Sequence, residues 1–166
     1  MFKHSGKKRT NRHNIRIATL LSFVAGIVNV GGFLAVHKLT TNVTGHFAFF
    51  IEEINALEFQ KAIIYFLYIF FFFSGSFISN ILVESIARRN VRYSYTVPII
   101  LESIILFCVA WFGKYLIDFS PNLLAFLLLF AMGLQNSLVT VISNSIVRTT
   151  HLTGLFTDLG IELSQL

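Results

Sequence analysis

The chain has 166 residues, of which 55% are hydrophobic and 13% charged, with a net charge of +5. Mean hydropathy is +0.72, and a soluble domain carries about 25% charged residues. Composition therefore excludes an ordinary water-soluble fold and points to an all-α, polytopic membrane protein. The positive balance is no sign of nucleic-acid binding, because it is concentrated at one place in the chain.

Residues 1–16 form a basic tail: Lys3, Lys7, Lys8, Arg9, Arg12 and Arg16 precede the first apolar run. That is the pattern of a cytoplasmic tail. A secretory signal peptide is the competing reading, but the apolar run is too long for one. Residues 17–166 read as one transmembrane domain. Segment one is expected at about Ile15 to Val36 and a weaker segment two at about Thr40 to Leu57, running into Glu52 and Glu53. Segment three is expected at about Ala62 to Val83, with an aromatic run from Phe70 to Phe73. Segment four, about Tyr95 to Ile117, opens with Pro98 in its first turn, where a missing N–H costs little. Segment five, about Asn122 to Val147, is introduced by Ser120-Pro121, and segment six begins at Thr150. A first repeat spans about residues 17–85. A second begins at about residue 121 and is expected to be truncated at 166, where the counterpart of segment three should begin.

A phrase written twice marks the candidate site. Thr40-Thr41-Asn42-Val43-Thr44-Gly45-His46-Phe47 returns as Thr149-Thr150-His151-Leu152-Thr153-Gly154-Leu155-Phe156. Each copy follows an apolar run with its own echo: Phe23, Gly26 and Asn29 in the first, Phe130, Gly133 and Asn136 in the second. Thr and Gly are poor mid-helix residues, whereas Thr is a good N-cap. The expectation is an extended stretch and then a helix starting near Thr44 in one copy and Thr153 in the other. Helix starts carry unpaired N–H groups and the positive end of the macrodipole. Paired broken helices at the midplane build substrate sites in several secondary transporters. Packing and capping alone explain the same residues equally well.

The candidate substrate-binding residues are Asn29, Thr41, Thr44, Gly45, His46, Gln135, Asn136, Thr150, His151, Thr153 and Gly154. Glu102 and Asp158 are candidates for proton coupling, since an intramembrane carboxylate is a functional hypothesis by default. The matching reading for Glu102 is an interfacial side chain that snorkels, and for the buried amides a hydrogen bond to a neighbouring helix. No metal site is expected, because His46 and His151 do not align and no Cys or Glu stands at ligand spacing. No cofactor is expected either. Nucleotide-binding, zinc-protease and serine-hydrolase motifs are missing, so the chain is not expected to be an enzyme.

Two topologies compete. If every segment spans, Arg88, Arg89, Arg92 and Arg148 lie outside with Lys38. If segment two does not cross, only Lys38, Lys61 and Lys114 lie outside. The positive-inside rule favours the second, in which segments one and five run in opposite directions and the repeat is inverted.

The stretches Phe23-Val24-Ala25-Gly26-Ile27-Val28-Asn29, Thr44-Gly45, Gly133-Leu134-Gln135-Asn136 and Arg148-Thr149-Thr150-His151-Leu152-Thr153-Gly154 resemble the YoaK-like family of bacterial inner-membrane proteins. The family's first motif has Thr-Gly-Asn, and His46 replaces that Asn here. The resemblance implies a multi-pass protein of the bacterial inner membrane with no established activity. The expected function is a small secondary transporter or permease for a small polar or anionic solute; a non-transporting structural or partner-binding membrane protein is the alternative. The expected partners are the lipid bilayer, a small solute and a second copy in a homodimer.

Overall fold

The computed structural model describes residues 11–90, 93–143 and 152–165. Every element among them is helical: α1 (Asn11–Val36), α2 (Val43–Asn55), α3 (Phe59–Ala87), α4 (Thr96–Phe119), α5 (Pro121–Ile142) and α6 (Leu152–Ser164). The expected boundaries of segments one to four and the start of segment five agree to within a few residues, whereas the expected end of segment five at Val147 and start of segment six at Thr150 lie outside the described residues. Ser120 closes α4 and caps α5, its hydroxyl accepting from the Leu123 N–H at 3.4 Å with Pro121 in the first turn.

Among the described residues four helices are long and apolar enough to cross a bilayer: α1 over Thr19–Val36, α3, α4 and α5. The other two have 13 residues each. Such a helix is about 20 Å long, short of a hydrocarbon core of about 30 Å. Segment two is thus a half-length helix, as in the second of the two topologies.

Helix α5 is the hub. Its buried share is 61%, against at most 22% in the other three spans. Three apolar clusters mark levels along it. Leu138, Val139 and Ile142 pack with Leu21, Val83, Tyr95 and Ile99 at one end. Ala131 and Met132 pack with Ala25 and Phe72 in the middle. Leu124 to Leu129 pack with Val36, Tyr68 and Leu116 at the other end. The order of partners fixes the directions: α3 runs parallel to α5, while α1 and α4 run antiparallel to it. Arg16, Arg88 and Arg89 therefore share one end of the bundle, and Lys38, Lys61 and Lys114 the other.

The α3–α5 contact is backbone against backbone. A Cβ on Gly75 would overlap the Phe130 carbonyl oxygen, and one on Gly133 would overlap that of Phe72. Ser76 Oγ also donates to the Gly133 carbonyl at 3.1 Å. Small residues let membrane helices approach this closely. Large apolar side chains such as Phe23, Phe66, Phe107 and Trp111 point outward and are exposed. Cys108 shares that outer surface.

Candidate functional site: a polar cavity at the start of α2

The site begins where α1 stops. His37 takes a positive φ of 54°, the left-handed conformation that reverses a chain sharply. Three residues later the chain has folded back beside α1. The Thr40 N–H donates to Asn29 Oδ1 at 3.0 Å, and the Thr40 hydroxyl to the Val28 carbonyl at 3.3 Å. Asn29 lies seven residues before the end of α1, so the return is about 10 Å deep. Gly32 makes room for it: a Cβ there would sit 2.6 Å from the Thr40 methyl. Its neighbour Gly31 faces open space.

From that depth α2 starts at Val43. Its cap is Asn42, whose Oδ1 accepts the Gly45 N–H at 2.9 Å. The expectation of a threonine cap is corrected here; an Asn side chain reaches the N3 amide as readily. The helix then runs back along the first half of α3, with Phe49 stacked on Tyr65 and Phe50 beside Phe66. It turns at Leu57, which has a φ of 60°. The result is a re-entrant excursion that enters and leaves at the same end of the bundle. Non-helical backbone at such depth persists where it is buried in protein or lines a wet cavity.

A cavity of about 800 Å³ opens at the start of α2. It is lined by Asn29 of α1, by Thr41, Asn42, Thr44 and Gly45 of the first phrase, by Phe72 of α3, by Asn136 of α5 and by Thr153 of α6. The two Thr-Gly phrases and the two upstream asparagines thus contribute to one space. The side chains offer hydroxyl and amide donors and acceptors, and no charged side chain is among the described lining residues.

Other candidates lie elsewhere. Gln135 is buried on the side of α5 that meets α1, where Nε2 donates to the Leu21 carbonyl at 2.7 Å. Its Oε1 is buried with no hydrogen-bond partner. His46 faces away from the central cavity, toward Tyr65 and Tyr68. Glu102 is buried in α4, only 5% exposed, and does not line the cavity. Gly154 and Asp158 follow Thr153 on α6 outside the lining, with Asp158 exposed. Thr150 and His151 lie outside the described residues, as does Arg148. No three His, Cys, Asp or Glu side chains come together as metal ligands among the described residues. Sequence reasoning missed Phe72 as a wall, and helical periodicity was the signal for His46. Residues two apart, such as Thr44 and His46, point about 200° apart on a helix.

The fold and the site define an all-helical protein that has, among the described residues, four helices long and apolar enough to cross a membrane, a short helix α2 and a cavity lined by polar side chains at its start. The chain belongs to an uncharacterised family: residues 17–166 match the one described as Protein of unknown function (DUF1275). That covers everything after the basic tail. No curated protein and no solved structure matches the chain.

Proposed function

We propose that the protein is a small secondary transporter or permease of the bacterial inner membrane that binds a small polar or anionic solute in the central cavity. One observation carries this reading: Thr44, Thr153, Asn29 and Asn136, two from each copy of the repeated sequence, line one cavity of about 800 Å³. Small-molecule sites are usually about 300–1,000 Å³. The antiparallel course of α1 and α5 supports reading the copies as an inverted repeat, the arrangement on which alternating access is built in several transporter families. With the tail cytoplasmic, Arg16, Arg88 and Arg89 are on the inner side, in accord with the positive-inside rule. Glu102, buried within α4, is the residue we assign to proton coupling.

The test is uptake by the full chain in proteoliposomes, screened with labelled small polar and anionic solutes. Thr44→Val and Thr153→Val should each lower uptake of the active solute by about tenfold, the loss of one hydrogen bond to the solute. Glu102→Gln should abolish acceleration of uptake by an imposed proton gradient. If both threonine variants transport at the unsubstituted rate, the central cavity is not the pathway. The structural alternative draws on Gln135 and Asn29, whose amides bind backbone at Leu21 and Thr40. It predicts no saturable uptake of any solute.

A further inference from the structure

A second cavity, of about 360 Å³, lies across the α2 start from the first, and shares Leu39, Asn42 and Gly45 with it. Its distinctive walls are Phe33, Phe49 and Tyr65, with Lys38 and His46 supplying the chemistry. His46 is only 3% exposed. Its Nε2 lies 2.6 Å from the Leu39 carbonyl oxygen. A carbonyl only accepts, so Nε2 carries the proton. Nδ1 is then left buried with no hydrogen-bond partner. An unpaired buried polar atom costs about 1–3 kcal/mol, and a ligand in the cavity would relieve that. With the proton on Nε2, Nδ1 of the neutral imidazole is an acceptor that calls for a donor.

Lys38 supplies the complementary group. Its ammonium lies 3.3 Å from the Tyr65 hydroxyl and 5.0 Å from the centre of the Tyr65 ring. Among the described residues no carboxylate is within ion-pair distance of it. A cation held on an aromatic face beside an apolar-walled cavity suits an anion with an apolar body.

We propose that this second cavity binds a small carboxylate that carries a hydroxyl on the adjacent carbon and an apolar, preferably aromatic, body. Lys38 takes the carboxylate, His46 Nδ1 accepts from the hydroxyl, and Phe33, Phe49 and Tyr65 hold the body. The site stands independently of transport through the central cavity.

Three related probes separate the contributions: mandelate has all three groups, phenylacetate lacks the hydroxyl and benzyl alcohol lacks the carboxylate. Equilibrium binding to the purified full chain is measured by calorimetry at pH 7. Mandelate should bind saturably and phenylacetate about tenfold more weakly, the loss expected for one hydrogen bond. Benzyl alcohol and the Lys38→Met variant should each lose about thirtyfold or more, as for a charge-assisted contact. Lys38→Arg should recover most of the affinity, which guards against misfolding as the cause. Absent saturable mandelate binding, equal affinity for mandelate and phenylacetate, or unchanged affinity in Lys38→Met would each overturn the site. The readout is binding, so such a failure leaves uptake through the central cavity unaffected.

Discussion

Asn29 Oδ1 accepts the Thr40 N–H at 3.0 Å, and this bond ties the returning chain to the middle of α1. Thr40 is fully buried, so its amide has no water to fall back on. Asn29→Leu leaves that N–H unpaired and should destabilise the protein by about 1–3 kcal/mol. Thr40→Val keeps the amide bond and loses only the hydroxyl contact to Val28, for about 0.5–1.5 kcal/mol. Unfolding in detergent should rank the two in that order. Faster exchange of the Thr40 amide in Asn29→Leu would tie the loss to this bond.

Gly75 and Gly133 each face the carbonyl three residues before the other. Neither helix backbone can move aside locally, so Gly75→Ala and Gly133→Ala should each cost about 1–3 kcal/mol through forced separation of α3 and α5. Gly26→Ala and Gly31→Ala meet open space and should leave the unfolding midpoint unchanged. Equal effects at all four positions would contradict the close crossing.

The half-helix fixes the topology. In a variant with Cys108→Ala, single cysteines at Lys38 and Leu57, on either side of α2, should react from the same side of the membrane. A cysteine at Arg89 should react from the opposite side. Labelling of Lys38→Cys and Leu57→Cys from opposite faces would mean that α2 crosses.

Neighbouring amides on α5 should separate in function. Gln135→Leu removes both the Leu21 contact and a buried unpaired oxygen. Its stability should change by less than about 1 kcal/mol, because both losses and gains are of that size. Uptake should be unaffected. Asn136→Leu, which changes the cavity wall, should lower it.

The helices and their ends were legible because each signal was local: Ser120-Pro121 as a cap, and Thr-Gly as a helix start after a break. Helix α2 begins one residue before Thr44. The polar phrases stood out because lipid makes unpaired polar groups costly. Direction around the helix axis was harder. Gln135 and Asn136 are adjacent in sequence yet about 100° apart in space, one toward α1 and one toward the cavity. The run Phe70 to Phe73 could not reveal that Phe72 is the wall, since four identical side chains carry no phase. Thr40 opens the repeated phrase, and its burial against Gly32 makes it a structural anchor.

The central claim is that the two Thr-Gly phrases share one water-filled space. In the Cys108→Ala background, Thr44→Cys, Thr153→Cys and lipid-facing Phe107→Cys are treated in membranes with a charged, membrane-impermeant thiol reagent. The account predicts that Thr44→Cys and Thr153→Cys react while Phe107→Cys does not. It also predicts that in the double variant a bulky group at one position blocks the other. Unreactive positions 44 and 153 in folded protein, or independent labelling of both, would contradict a shared cavity.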